Sequence, residues 1–255
     1  MSAASTETGP WLRRFHPAPD TPVRLVCFPH AGGSASYYFP VSKALSAAAG
    51  VLVLQYPGRQ DRRLTPCVES IGELADAIAE ELRGRLEGPV ALLGHSMGAT
   101  VAYEVARRLE EAGEPPLALF ASGRRAPDSL RDERVHLATD AQVMAHVARL
   151  SGTGAGVLDD PEIVRMVLPV IRGDYRAAET YRHRPGPPLS CPLYALTGDD
   201  DPQVSPAEAD EWARFTTGPF EKAVFDGGHF YFTTGPDKPM AYLGERLTAL
   251  AAETL

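Results

Sequence analysis

Val90-Ala91-Leu92-Leu93-Gly94-His95-Ser96-Met97-Gly98 decides the fold. Four apolar residues read as a buried strand, Ala99 to Ala112 reads as a helix, and a Gly-x-Ser-x-Gly turn joins them. A turn this tight holds its central residue in a strained backbone conformation and needs nearly bare neighbours two positions to either side. The Ser96 hydroxyl is therefore expected at the end of a sheet, within reach of a base and a substrate carbonyl. The plain alternative is a Gly-rich turn with an incidental serine. The strand before it and the helix after it favour the nucleophile.

Working outward, short apolar runs alternate with helical patterns. Residues 23–28 and 51–54 read as strands, and 70–86 as an amphipathic helix with Ile71, Leu74, Ile78 and Leu82 on one face. Strand 90–93, helix 97–112 and strand 117–121 follow. Near-continuous apolar strands separated by helices indicate a mostly parallel central sheet flanked by helices on both faces. Between about 124 and 188 the alternation stops. Helical patterns over roughly 140–150, 160–172 and 173–182, with the Gly-rich run Ser151 to Gly156 between them, indicate a helical insertion with a flexible hinge, either a lid or a structural excursion. The sheet resumes at 193–197 and 222–225, and a last helix fits 239–252. Residues 1–20 read as a loose tail with Trp11 and Phe15 as anchors, and 21–255 as one α/β domain.

Composition narrows the function. The 255 residues are 44% hydrophobic and 23% charged, as in ordinary globular proteins, and no apolar run approaches a membrane span. Met1 to Pro10 lacks a secretory pattern, so a cytoplasmic protein with no membrane association is expected, and a monomer. A net charge of −8 argues against nucleic acid and gives no long-range attraction to an acidic protein. Cys27, Cys67 and Cys191 are odd in number and lack metal-ligand spacing, so packed, reduced thiols are expected, with no metal and no resident cofactor. No P-loop or dinucleotide fingerprint is present.

A serine hydroxyl needs a base. Of the seven histidines, His229 stands out, since it follows strand 222–225 through Asp226-Gly227-Gly228. The acid is sought between the two, because doubly wound serine hydrolases run in the order Ser, Asp or Glu, His. Strand 193–197 ends in Gly198-Asp199-Asp200-Asp201, where two of the three carboxylates are expected in a solvated turn and Asp201 facing the histidine. Asp128, after strand 117–121, keeps the same order and remains the alternative acid. The oxyanion donors are expected to be the backbone N–H groups of Met97, next to the nucleophile, and Ala31, in the Gly-rich turn Phe28 to Gly33.

Pro29-His30-Ala31-Gly32-Gly33, Gln55-Tyr56-Pro57-Gly58-Arg59, the Ser96 turn, Gly198-x-x-Asp201 and Gly227-Gly228-His229-Phe230 together resemble the stand-alone, type II thioesterases of polyketide and nonribosomal peptide synthesis, over about residues 11–250. The resemblance implies an α/β-hydrolase fold with a helical lid, a triad of Ser96, Asp201 and His229, and an oxyanion hole at Ala31 and Met97. It also implies editing hydrolysis of acyl groups on the phosphopantetheine arms of acyl or peptidyl carrier proteins. The integrated release domains of such synthases often take the acid after the earlier strand, which keeps Asp128 in view. Phe230 is a candidate acyl-pocket residue. Arg59, Arg62 and Arg63 could form a local basic rim facing an acidic carrier, though a solvated basic loop is the plainer reading. A general carboxylesterase would use the same triad and fold. A non-catalytic binding protein fits poorly with an intact Ser, acid and His.

Overall fold

The computed structural model describes residues 9–18, 20–86, 88–151 and 161–254. Seven strands form one sheet in the order β1-β3-β2-β4-β5-β6-β7. They are β1 (Leu12–Arg13), β2 (Arg24–Phe28), β3 (Gly50–Leu54), β4 (Val90–His95), β5 (Ala118–Ser122), β6 (Leu193–Gly198) and β7 (Phe220–Phe225). Every pairing from β3 to β7 is parallel, and β1 alone runs antiparallel, on the edge beside β3. The parallel strands β2 to β5 are buried almost throughout, as a sheet covered on both faces requires.

The helices are α1 (Phe39–Ala44), α2 (Ile71–Leu82), α3 (Met97–Glu111), α4 (Asp140–Ser151), α5 (Pro161–Thr180), α6 (Pro206–Asp210), α7 (Tyr231–Thr234) and α8 (Asp237–Thr254). Helix α2 starts where Ser70 Oγ accepts the Glu73 N–H, and it buries Ile71, Leu74, Ile78 and Leu82, the face its spacing predicts. Burial of each such side chain stabilises by about 1.5–3 kcal/mol. This face joins α3 in the core on one side of the sheet. On the other side the apolar residues of α1 and α8 cover Leu25, Val51, Leu93 and Phe120.

Two sequence expectations change. Residues 12–13 belong to the sheet rather than to a loose tail: Leu12 lies opposite Leu54, and the Gln55 N–H donates to the Trp11 carbonyl at 2.7 Å. Two residues are too few for an alternating pattern to register. The helices expected at 160–172 and 173–182 are one helix, α5, which runs through Pro169 and Gly173. A mid-helix glycine costs about 1 kcal/mol, and burial of Val170, Ile171 and Ala177 offsets it. The expected hinge at 151–156 falls, from residue 152 on, outside the described residues, as do residues 1–8 of the expected tail.

Candidate active site

Ser96 sits between β4 and α3 with φ 55 and ψ −122, a conformation that costs a non-glycine residue about 1–3 kcal/mol. The turn is close because bare backbone lies on both sides. A Cβ on Gly98 would collide with the carbonyl oxygens of Phe28 and Pro29, and one on Gly94 with the carbonyl oxygen of Gly98. The Ser96 N–H donates to the Ser122 carbonyl at 2.8 Å, which ties the turn to β5. Ser96 lines a cleft together with Ala31 and Met97.

His229 and Asp201 are brought together at the ends of β7 and β6. The ring Nδ1 lies 3.0 Å from Asp201 Oδ1 and 2.9 Å from Oδ2, and both side chains are buried. Asp201 Oδ1 also accepts the Gln203 N–H at 2.8 Å, which fixes the carboxylate plane. With Nδ1 facing the acid, Nε2 is the ring nitrogen left for a reacting group. Asp199 and Asp200 lie in the exposed turn, where Asp199 Oδ1 accepts the Gly227 N–H at 2.8 Å and the Asp200 N–H donates to the Gly227 carbonyl at 3.1 Å. Ser96 Oγ makes no hydrogen bond among the described residues, a common state for catalytic hydroxyls before substrate binds.

Asp128 lies elsewhere. It is exposed and pairs with Arg214 at 2.9 and 3.2 Å.

His95 lies within the elbow but points away from the cleft. Its Nδ1 is 2.9 Å from Ser122 Oγ, which is 2.5 Å from the Tyr231 hydroxyl. Burial first, and then the neighbouring His229, hold its pKa well below the usual imidazole value. His30 is held down to about 3, again mainly by burial. Both rings are therefore neutral at pH 7, and His95, 4.9 Å from the His229 ring, supports it without adding charge.

The donors sit at backbone. Met97 opens α3, so its N–H has no intrahelical acceptor. In the loop after β2, Gly32 N–H donates to Asp174 Oδ2 (2.7 Å), Gly33 N–H to the His30 carbonyl (2.9 Å) and Ala35 N–H to Gln55 Oε1 (2.8 Å). The Ala31 N–H has no acceptor among the described residues, and Ala31 is one of the residues lining the cleft.

Two other expectations shift. Phe230 does not line the cleft holding Ser96; it packs on His30 (4.9 Å), His229 (5.0 Å) and His95 (5.4 Å), because the turn after β7 aims it behind the triad. The cleft wall instead includes Thr100, Arg124, Tyr175, Ala178 and Tyr181. Arg124 Nε donates to Thr100 Oγ1 at 3.1 Å, and burial lowers the guanidinium pKa to about 10. The basic rim also dissolves. Arg59 is buried and paired with Asp174, and Arg62 lies 4.2 Å over the Trp11 ring, leaving Arg63 exposed. Among the described residues, no group of three or more His, Cys, Asp or Glu could hold a metal ion, and no helix is long and apolar enough to cross a membrane.

Residues 23–244 match the family described as "Thioesterase domain". The "Probable cadicidin biosynthesis thioesterase" of Streptomyces griseus is 54% identical over 91% of this chain, and this chain spans 64% of that relative's length. Thioesterase PikA5 of Streptomyces venezuelae is 52% identical, with 89% of this chain and 82% of the relative covered. The solved structure of "the type II thioesterase BorB from the borrelidin biosynthetic cluster" superimposes with a TM-score of 0.88 at 51% identity, covering 96% of this chain and all of that one. The fold is thus the α/β-hydrolase fold of thioesterases, with the mostly parallel sheet and flanking helices that the sequence predicts.

Proposed function

The chain belongs to the thioesterase-domain family, and from that premise we propose that it hydrolyses acyl groups carried as thioesters on the phosphopantetheine arms of acyl or peptidyl carrier domains. Its service is editing, the clearing of stalled or wrongly primed carriers of a biosynthetic synthase. The similar proteins named for biosynthetic clusters support that setting.

One observation carries the chemistry: a buried imidazole whose Nδ1 faces both oxygens of a buried carboxylate, at the rim that also bears a serine in a strained turn. As substrate binds, the Ser96 hydroxyl comes within hydrogen-bonding distance of His229 Nε2. Oγ attacks the thioester carbonyl while Nε2 takes the proton. Asp201 holds the productive tautomer and stabilises the imidazolium. The N–H groups of Ala31 and Met97 receive the oxyanion, each worth about 10²–10³ in kcat. The C–S bond breaks, and the imidazolium returns its proton to the pantetheine sulfur. Water, deprotonated by the same nitrogen, then attacks the acyl-serine, and the imidazolium returns that proton to Oγ as the ester bond breaks, freeing a carboxylic acid and Ser96. A thiolate leaves with less acid assistance than an amine needs. No step calls for a resident cofactor or metal.

The test is intact-mass measurement of acylated carriers and of the enzyme, beside labelling with a fluorophosphonate. Wild type is expected to strip the acyl group and to take one label, and Ser96→Ala to do neither. Higher kcat/KM on an oxygen ester than on the matched thioester would instead mark a general carboxylesterase.

A further inference from the structure

We infer that Asp174, on the insertion helix α5, is a positioning residue for the oxyanion loop: buried and paired with Arg59, it holds the Gly32 N–H and thereby sets where the Ala31 N–H points. This rests on the reading of Ala31 as an oxyanion donor.

The loop after β2 is short, and its backbone amides at 32, 33 and 35 are committed to Asp174, the His30 carbonyl and Gln55 Oε1. Only the Gly33 bond is made within the loop. The other two acceptors come from distant parts of the chain. Gln55 follows β3, and its Nε2 donates to the Arg59 carbonyl at 3.1 Å. Arg59 in turn donates from Nη1 to the Pro57 carbonyl at 2.7 Å and from Nη2 to Asp174. The stretch Gln55 to Arg59 therefore braces the loop through two routes, one direct and one through α5.

The chemistry at position 174 calls for a carboxylate. Its two donors are a guanidinium and a peptide N–H, and a charged acceptor makes the stronger bonds to both. Burial alone pushes the Asp174 carboxyl pKa up; Arg59 and the Gly32 N–H oppose that push. Both donors converge on Oδ2, so an asparagine with its oxygen there would still accept from both, but without the charge that strengthens the two bonds. The helix also touches the loop one turn earlier. A Cβ on Gly32, where φ is +74, would come within 2.7 Å of Ile171 Cγ1. Ile171 and Asp174 share a helix face, so α5 grips Gly32 by shape and by hydrogen bond at once. Gly32 directly follows the donor residue, and any shift of α5 is passed to it.

The experiment uses the full chain with Asp174→Asn and the double variant Arg59→Met/Asp174→Leu, which replaces the ion pair by apolar groups and still strips Gly32 of its acceptor. Three quantities are read on folded protein: kcat and KM on an acyl-pantetheine thioester, the Kd of an acyl boronic acid whose adduct with Ser96 needs the oxyanion hole, and the Kd of the unreactive amide analogue of the substrate. In the double variant, with the donor misplaced but not deleted, kcat and boronate affinity should each fall about 10–100-fold, short of the full loss of a donor, while amide affinity stays within about threefold; Asp174→Asn, which can keep an oxygen in place of Oδ2, should fall less. Boronate affinity and kcat within threefold of wild type in the folded double variant would overturn the inference. So would a parallel loss of amide affinity, which marks general distortion. If Asp174→Asn does not fold, the double variant decides; if neither folds, the pair is structural and the inference is wrong. A wild-type protein without thioester turnover or Ser96 labelling would refute the thioesterase reading itself, a result distinct from an active wild type with indifferent variants.

Discussion

Two neighbouring loops leave the same rim of the sheet, and only one delivers a carboxylate to His229. After β6, the turn is stitched to the turn after β7 by Asp199 and Asp200, each bonded to Gly227. That leaves the Asp201 side chain with no exposed surface. After β5, the chain is tied instead to residues that follow Asp201. The indole N–H of Trp212 donates to the Arg124 carbonyl at 2.7 Å, and Arg125 donates to the Gln203 carbonyl at 2.7 Å. Asp128 ends 38% exposed beside Arg214. Strands β5 and β6 are paired neighbours, so chain order admits either acid. The stitches between adjacent loops decide which one reaches the base.

The strongest challenge to this contrast is Asp201→Asn. The amide keeps the volume but favours the wrong imidazole tautomer, and kcat on an acyl-pantetheine thioester should fall by about 10⁴ with little change in the unfolding midpoint. A loss of tenfold or less would mean that the acid at the end of β6 is not the one the histidine uses.

The same contrast marks what could be read from sequence. Ser96, His229 and Asp201 each stand in a local pattern, an apolar run followed within a few residues by a Gly-marked turn, and such patterns survive folding because the turn itself makes them. Asp201 and Asp128 could not be separated that way, since the decisive bonds run from Trp212 and Gly227 to loops far away in sequence. Arg59 was harder still. In sequence it is one of three arginines on a loop, whereas in the fold its partner stands 115 residues on. A signal did exist: Asp174 shares helical spacing with Val170, Ile171, Ala177 and Ala178, so a carboxylate interrupts an apolar stripe and demands a buried partner. Reading a helix break near Gly173 hid that stripe.

Trp212→Phe sharpens the contrast from the other loop. Trp212 is fully buried, and the smaller ring leaves the Arg124 carbonyl without its donor and a partial void against Tyr103. Stability should drop by about 2 kcal/mol, read from urea midpoints. If the two loops are independently anchored, kcat stays within about threefold, because Asp201 is held by His229 and the Gln203 N–H and not by Trp212. A collapse of kcat on the scale of Asp201→Asn would show instead that the β5 loop holds the acid in place.

The smallest expected effect is at Asp128→Asn. Its pair with Arg214 is exposed on both sides, and Arg214 keeps a second partner in Glu211 at 3.0 Å. Exposed pairs contribute about 0–1 kcal/mol, so the midpoint should hardly move and kcat should stay within about twofold. The measurement matters because this residue and Asp201 stand alike in the order Ser, acid, His. A near-silent Asp128→Asn beside a crippled Asp201→Asn assigns the acid by burial and loop anchoring. The reverse result would require the β5 loop to swing inward during turnover, breaking the Trp212 and Arg125 bonds that hold it outside.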